Sequence, residues 1–122
     1  VVLALELPDD VSWYDSQGKT AVPAQAQTLA PEETARVFLE ACGREDWDTV
    51  QVFYPISPLP QIFKDRLAGV EIVGLGKPFQ SGLYRGWFIP YEIRLKSGEV
   101  WKHNVALRND NAAQIYRIDG GL

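Results

Sequence analysis

His103 is the only histidine in this chain of 122 residues, and its side chain is the one best suited to acid–base chemistry. Because an imidazole titrates near neutral pH, it can act as a general base or as a hydrogen-bonding group for a ligand. Tyr91 and Tyr116 are the candidates to assist it. The competing interpretation is a core histidine whose ring nitrogens bond to a tyrosine hydroxyl and a main-chain carbonyl. His103 is therefore the only candidate catalytic residue.

The other reactive residue types predict no site. Cys42 occupies an apolar position of a predicted helix, as a buried small hydrophobe does, and one cysteine with one histidine cannot form a zinc site. The segment GLGKP at 74–78 lacks the spacing of a phosphate-binding loop. No serine stands in a nucleophile elbow, and the carboxylates form no facing pair. We expect no metal and no cofactor.

Charge and composition exclude two classes of partner. The chain has 12 basic and 16 acidic residues, a formal charge of −4, and no basic run, which argues against nucleic-acid binding. No stretch is long enough to insert into a membrane. An apolar content of 46% with 23% charged residues is typical of a globular domain, and the length fits one domain.

Three helices are expected in the first half of the chain. Pro31 suits a first helical position, and Gly43 suits a C-terminal stop. Between them, an apolar stripe with helical spacing consists of Ala35, Phe38, Leu39 and Cys42. A second helix is predicted over 45–53, ended by Tyr54-Pro55. A third follows, with Ser57 as its cap and Pro58 at its first position. The apolar side of this third helix is predicted to comprise Leu59, Ile62, Phe63 and Leu67.

After Gly69 the hydrophobic pattern alternates, which predicts strands over 70–79, 83–95, 99–108 and 113–119. Residues 1–7 are apolar and strand-like, and residues 12–28 read as an irregular connection. We therefore divide the chain into an N-terminal segment, 1–29, and an α+β domain, 30–122. In this domain the N-terminal helices pack on a curved, mainly antiparallel sheet of about four strands.

The hairpin around Gly98 predicts its own register. A two-residue turn would mix apolar and polar faces, whereas a three-residue loop with Gly98 in the left-handed conformation pairs Leu95 with Glu99. Tyr91 then faces His103. The same register pairs Ile93 with Trp101, Ile89 with Val105, Trp87 with Leu107 and Glu92 with Lys102.

The next turn predicts where the last strand lies. An even loop centred on Asp110-Asn111 sets Val105 beside Tyr116 and His103 beside Ile118. One face then carries Trp87, Ile89, Tyr91, Ile93, Trp101, His103, Val105, Tyr116 and Ile118, and we expect the helices to cover it. On this prediction an apolar ligand pocket is lined by Tyr91, Trp101, His103 and Tyr116. Ordinary core packing is the alternative for the same aromatic residues.

Three segments resemble the NTF2-like superfamily, which has a cystatin-like α+β cone fold. They are PEETARVFLEACGREDWDTV, GWFIPYEIRLKSGEVWKHNVALRND and AAQIYRIDGGL, and the resemblance covers about residues 30–122. It implies a pocket between the helices and the concave sheet face. Members include steroid isomerases, dehydratases, polyketide cyclases, transport factors and domains with no known activity.

The predicted pocket lacks the groups on which the enzymatic members of that superfamily depend. Members resembling ketosteroid isomerase need a buried aspartate base, but here Glu92 and Asp119 fall on the other sheet face. We therefore expect a non-catalytic module of a longer protein, binding a small apolar molecule or another protein. One alternative is an isomerase or dehydratase that uses His103. Another is a homodimer formed through the outer sheet face, with Phe88, Pro90, Arg94, Val100 and Ala106.

The chain begins at Val1 without an initiator methionine. We therefore expect a fragment of a longer protein. The parent protein is expected to be either cytoplasmic or an exported or membrane-anchored protein.

Overall fold

The computed structural model describes residues 29–122, in which three helices precede four strands. The helices are α1 (Pro31–Gly43), α2 (Trp47–Phe53) and α3 (Gln61–Leu67). The strands are β1 (Glu71–Leu75), β2 (Trp87–Arg94), β3 (Val100–Arg108) and β4 (Arg117–Gly120). They form a curved, unclosed antiparallel sheet in the order β1-β2-β3-β4. The predicted α+β class is confirmed. The N-terminal segment predicted over 1–29 lies almost wholly outside the described residues.

Helix α1 agrees with the prediction at both ends. At its start the Ala30 N–H donates to the Glu33 carboxylate at 3.1 Å. The predicted stripe is fully buried. At its end Gly43 permits a close approach, because a Cβ there would lie 2.4 Å from the Val70 carbonyl oxygen. The left-handed residue that follows is Glu45 rather than Gly43.

Helix α2 begins two residues later than predicted. Asp46 caps it, and its carboxylate accepts from the Thr49 N–H at 3.3 Å and from the Thr49 hydroxyl at 2.7 Å. This cap makes Trp47 the first helical residue. Tyr54 is extended, as expected before a proline.

The predicted start of α3 is wrong. The helix begins at Gln61 after Pro60, and Ser57 is not its cap. The reason is Pro60, which disfavours the helical conformation at Leu59. The shift turns Ile62 outward, to 66% exposure, although it was predicted on the apolar side. Leu59 and Leu67 are buried as predicted.

The register between β2 and β3 is confirmed. Leu95 donates its N–H to the Glu99 carbonyl at 2.7 Å, and Gly98 has a φ of +97°. Tyr91 pairs with His103, and the Glu92–Lys102 pair lies on the opposite face. The side-chain alternation therefore sufficed to set this pairing.

The register predicted for the last strand is wrong by four residues. Residues 109–116 form a longer connection in which the Asn111 side chain bonds to the main chain of Ile115, with Nδ2 2.8 Å from the carbonyl oxygen. Ile118 consequently lies opposite Leu107 instead of His103. An even displacement keeps Ile118 on the predicted face but moves it along the strand.

The hydrophobic core lies between the helices and one sheet face. Helix α1 packs on β1 and β2, whereas α2 packs on α1 and β4. Both layers supply fully buried residues: Phe38, Leu39 and Val50 from the helices, and Ile89, Ile93, Val105 and Leu107 from the sheet. Within the described residues, no helix is both long and apolar enough to cross a membrane.

Candidate functional site

His103 is exposed to solvent, so the prediction that it lies beneath the helices is wrong. The cause is the displaced last strand, because β4 pairs only with Ala106–Arg108 and Ile118 does not reach the His103 position. The alternative of a buried core histidine fails for the same reason. His103 does meet Tyr91, whose ring lies edge-on with centroids 6.3 Å apart. Among the described residues no carboxylate lies within 4.0 Å of its ring nitrogens.

Tyr91 is buried, with 3% of its surface exposed, and its hydroxyl already has a partner. The hydroxyl donates to the Gly121 carbonyl oxygen at 2.6 Å. Burial raises the pKa of Tyr91 to about 12, so the group stays protonated at neutral pH. The Tyr91 hydroxyl therefore holds Gly121 against the sheet. The proton that a catalytic hydroxyl would donate to a substrate is already used in this hydrogen bond.

Trp101 lies two residues from His103 on the same face and is half-buried. Its indole N–H donates to the Glu99 carboxylate at 3.1 Å, and the Arg66 guanidinium lies over its ring, 5.6 Å from the centroid. This cation–π contact joins α3 to β3. Trp101 therefore has partners on its edge and on its face.

Tyr116 lies away from the other three predicted site residues. It precedes β4, whose first residue, Arg117, pairs with Arg108 at the far end of β3 from Trp101. Tyr116 is half-buried against the core. The structure thus brings Tyr91, Trp101 and His103 to one stretch of sheet but leaves Tyr116 outside it.

Aromatic side chains fill the space between the helices beside α1. The Tyr54 and Phe63 rings lie 4.5 Å apart, and Phe38 lies 6.2 Å from Tyr54 and 6.3 Å from Phe63. Trp47 meets Phe63 edge-on at 6.4 Å. This packing is that of a core.

A concavity of about 600 Å³ opens on the sheet surface, with Gly74, Gly76, Pro90, Glu92, Lys102 and Asn104 among its lining residues. We call it the outer trough. Because side chains alternate across a sheet, those of Glu92, Lys102 and Asn104 lie on the face away from the helices. Tyr91 and His103, which also line it, can contribute only main-chain atoms and the base of their side chains. Gly74 leaves the space open, because even a Cβ there would meet nothing within 4 Å.

The sequence contained a partial signal for the outer trough. The predicted Glu92–Lys102 pair marked the outer face, and the structure places their charged atoms 3.9 Å apart. Gly74 and Gly76 carried the remaining signal, since glycine within a strand weakens pairing and often marks a close approach or a bulge. A bulge does lie between Ile72 and Gly74. The sequence did not show that Gly74 lies open within the described residues, where a Cβ would meet nothing within 4 Å.

Neither a reactive thiol nor a metal centre stands out in the part of the chain that the structure describes. Cys42 is fully buried, and burial raises the pKa of its thiol to about 12. Groups of three or more histidine, cysteine, aspartate or glutamate side chains suited to a metal ion do not occur among residues 29–122.

Comparison with protein-family models, with curated proteins and with solved structures finds no match to this chain.

Proposed function

We propose that residues 30–122 are an NTF2-like domain with a non-catalytic binding function. The support for the family is architectural: helices come first, and a curved, unclosed antiparallel sheet of four strands follows. The support for a binding function is the contrast between the two sheet faces. Fully buried side chains pack on the helix-facing side, whereas the outer trough is open.

The outer trough suits an extended segment of a protein partner, because small residues and polar side chains both line it. Gly74, Gly76 and Pro90 offer a surface without long side chains. The Asn104 side-chain amide can both donate to and accept from a peptide group. Glu92 and Lys102 can each pair with an opposite charge on the partner, since at 3.9 Å their own contact is loose and exposed.

Selection from a library of short random peptides tests this proposal. We expect the selected peptides to shift the backbone amide NMR signals of Gly74, Gly76 and Asn104. Replacing Gly74→Leu should fill the outer trough and reduce peptide affinity at least tenfold. The fold should tolerate this change, because a Cβ at Gly74 meets nothing within 4 Å. Gly120→Leu is the matched control, since Gly120 is equally open but does not line the trough.

Two results would contradict the proposal. One is that selected peptides shift the signals of Trp101 and the His103 ring instead. The other is that Gly74→Leu and Gly120→Leu bind the peptides as well as the wild type does.

An enzyme that uses His103 has one observation in its favour, namely that the imidazole is open to solvent. It would have to act without a neighbouring carboxylate and without the Tyr91 proton, which is bonded to Gly121. If such an enzyme exists, His103→Ala should abolish turnover of any isomerisation or dehydration substrate found for this chain, while Gly74→Leu should not.

A dimer through the outer face has support from Val100, which is 47% exposed there. The rest of the predicted patch is partly occupied within the chain. Phe88 stacks on Phe79 at 5.4 Å, and Arg94 pairs with Glu71 at 2.9 Å. Sedimentation equilibrium of wild type and Val100→Asp tests this mode, since only an outer-face dimer should dissociate on that change.

A further inference from the structure

Residues 80–86, here called the Leu83 loop, are held by main-chain contacts at both ends. Before the loop, Phe79 exchanges two main-chain hydrogen bonds with Phe88, at 2.9 and 2.8 Å. Within it, the Tyr84 N–H donates to the Ser81 carbonyl at 3.3 Å. At its end Gly86 touches β3 so closely that a Cβ would lie 2.0 Å from the Leu107 carbonyl oxygen.

Tyr84 supports the Leu83 loop from beneath. Its ring lies 4.9 Å from that of Phe88, and the Arg108 guanidinium lies 5.8 Å from its centroid. Its hydroxyl donates to the Asp119 carboxylate at 2.7 Å. Burial and this hydrogen bond raise the pKa of Tyr84, so the hydroxyl remains a donor at neutral pH. The loop therefore has a conformation set by its own contacts.

The tip of this loop presents Leu83 with 100% of its surface exposed. A single exposed leucine is ordinary on a protein surface. Leu83 differs because the loop that carries it is already ordered, so burying it against a partner would cost little conformational entropy. Arg85, exposed beside it, adds a positive charge.

A concavity of about 420 Å³ lies at the other end of the sheet, between α3 and the β2–β3 hairpin. Ile62 and Leu95 give it an apolar lining. Asp65 and Glu99 stand at its rim, and in the described chain neither has a lysine or arginine nitrogen within 4.0 Å. They accept instead from neutral donors, Gln61 at 2.8 Å and Trp101 at 3.1 Å.

Two cations, Arg66 and Lys96, also line this concavity, and neither places a nitrogen within 4.0 Å of the Asp65 or Glu99 carboxylate. Arg66 lies over the Trp101 ring. The aliphatic stem of Lys96 lies beside Gly69, where a Cβ would be 3.3 Å from the Lys96 Cδ. The two carboxylates are thus available to an incoming arginine.

We propose that the Leu83 loop of one copy of this chain docks into the Ile62–Leu95 concavity of the next. Leu83 would cover the apolar lining, and Arg85 would pair with Asp65 or Glu99. The loop precedes β2 and the concavity follows it, so the two surfaces are separated by the length of that strand, roughly 27 Å. The Leu83 loop therefore cannot reach the concavity of its own chain, and the contact between copies is head-to-tail. It does not depend on the outer trough.

Mass measured by sedimentation against protein concentration tests the proposal. We expect reversible growth beyond a dimer, with a dissociation constant on the order of 0.1 mM for so small a contact. Leu83→Asp and Ile62→Asp should each weaken association at least tenfold. Both sites are exposed, and an aspartate at the second residue of α3 is favourable to the helix. Val100→Asp, at an exposed position on the outer face, is the control and should change nothing.

A mixture of Leu83→Asp and Ile62→Asp proteins gives the sharpest result. The first retains only the concavity and the second only the loop, so one intact contact should form and growth should stop at two copies. In an otherwise wild-type chain, Arg85→Glu should weaken association about tenfold. Adding Asp65→Arg and Glu99→Arg to the same chain should restore it.

Three outcomes would overturn the proposal: a wild-type protein that stays monomeric at millimolar concentration, a mixture that stays monomeric, or an association that Val100→Asp abolishes. The last would identify the outer-face dimer instead.

Discussion

Tyr91 was expected to assist His103, but its hydroxyl is already bonded to Gly121. Its place on the helix-facing side of β2 followed from side-chain alternation, and its position opposite His103 followed from the hairpin register. Its hydrogen bond to Gly121 joins residues 30 positions apart. The pairing pattern of β2 and β3 does not predict this contact, because the contact depends on where Gly121, which follows β4, lies relative to β2.

Replacing Tyr91→Phe tests the value of that hydrogen bond. The change leaves the ring in place and the Gly121 carbonyl without its donor, so we expect a loss of about 1 kcal/mol in the free energy of unfolding. Urea denaturation at pH 7 measures it. His103→Ala is the matched control on the facing residue and should change stability by less than about 0.5 kcal/mol, because that side chain is exposed.

The same hydroxyl gives a dependence on pH. Its pKa rises from 10.0 to about 12 on folding, so the folded state holds this proton more tightly than the unfolded state does. The associated stability is complete below pH 10 and is lost as the pH increases from 10 towards 12. We expect the difference in stability between wild type and Tyr91→Phe to shrink over that interval. A difference that grew instead would show that the hydroxyl is not the donor.

At the scale of elements, one hairpin was predictable and the other was not. Gly98 permits the left-handed conformation, and the apolar alternation on both sides of it admits one register. The Asp110-Asn111 turn looked equally local, but Asn111 bonds to Ile115 and draws four further residues into the connection. Side-chain bonds to the main chain compete with the strand ladder, and the sequence alone does not show which prevails.

Asn111→Ala tests the role of that side chain in the connection. Two hydrogen bonds to Ile115 disappear, and the free energy of unfolding should fall by about 2 kcal/mol. Hydrogen exchange of the β4 amides should rise more than that of β2. Asn109→Ala is the control, because Asn109 is exposed beside the same connection. Equal effects of the two changes would argue against a specific role for Asn111.

Two glycines of the described chain should respond in opposite directions. Gly43→Ala places a Cβ against the Val70 carbonyl and should destabilise the fold by about 2 kcal/mol. Gly74→Ala meets open space and should stabilise it by about 0.5 kcal/mol, because alanine restricts the unfolded chain. Thermal unfolding of the pair checks both signs, and a loss of stability at Gly74 would mean that its surroundings are closed.

At the scale of the whole molecule, the two sheet faces differ in what packs on them. The helix-facing side carries the core, while the outer side carries ion pairs, the outer trough and an aromatic cluster of Phe79, Tyr84 and Phe88. Alternation predicted two unlike faces. It did not predict that His103 is left uncovered, since that depends on where β4 pairs along β3.

Matched phenylalanines measure this division. Phe38→Ala removes a fully buried ring between the layers and should cost about 4 kcal/mol. Phe79→Ala removes a ring that is 38% exposed on the outer side and should cost about 1 kcal/mol. Urea denaturation gives both values. Similar costs would mean that the outer cluster is a second core.

The sequence by itself determined the class of the fold, the stripe of α1, the hairpin register at Gly98 and the pairing of Tyr91 with His103. Each depends on spacing within one element or across one tight turn, where sterics and periodicity act over a few residues. Only the tertiary structure decided that β4 pairs near Leu107, that His103 faces solvent and that Tyr91 donates to Gly121. Those outcomes depend on contacts between distant segments, where hydrogen bonds and packing of similar energy compete. For His103, the residue best suited to acid–base chemistry, this competition left the ring outside the core.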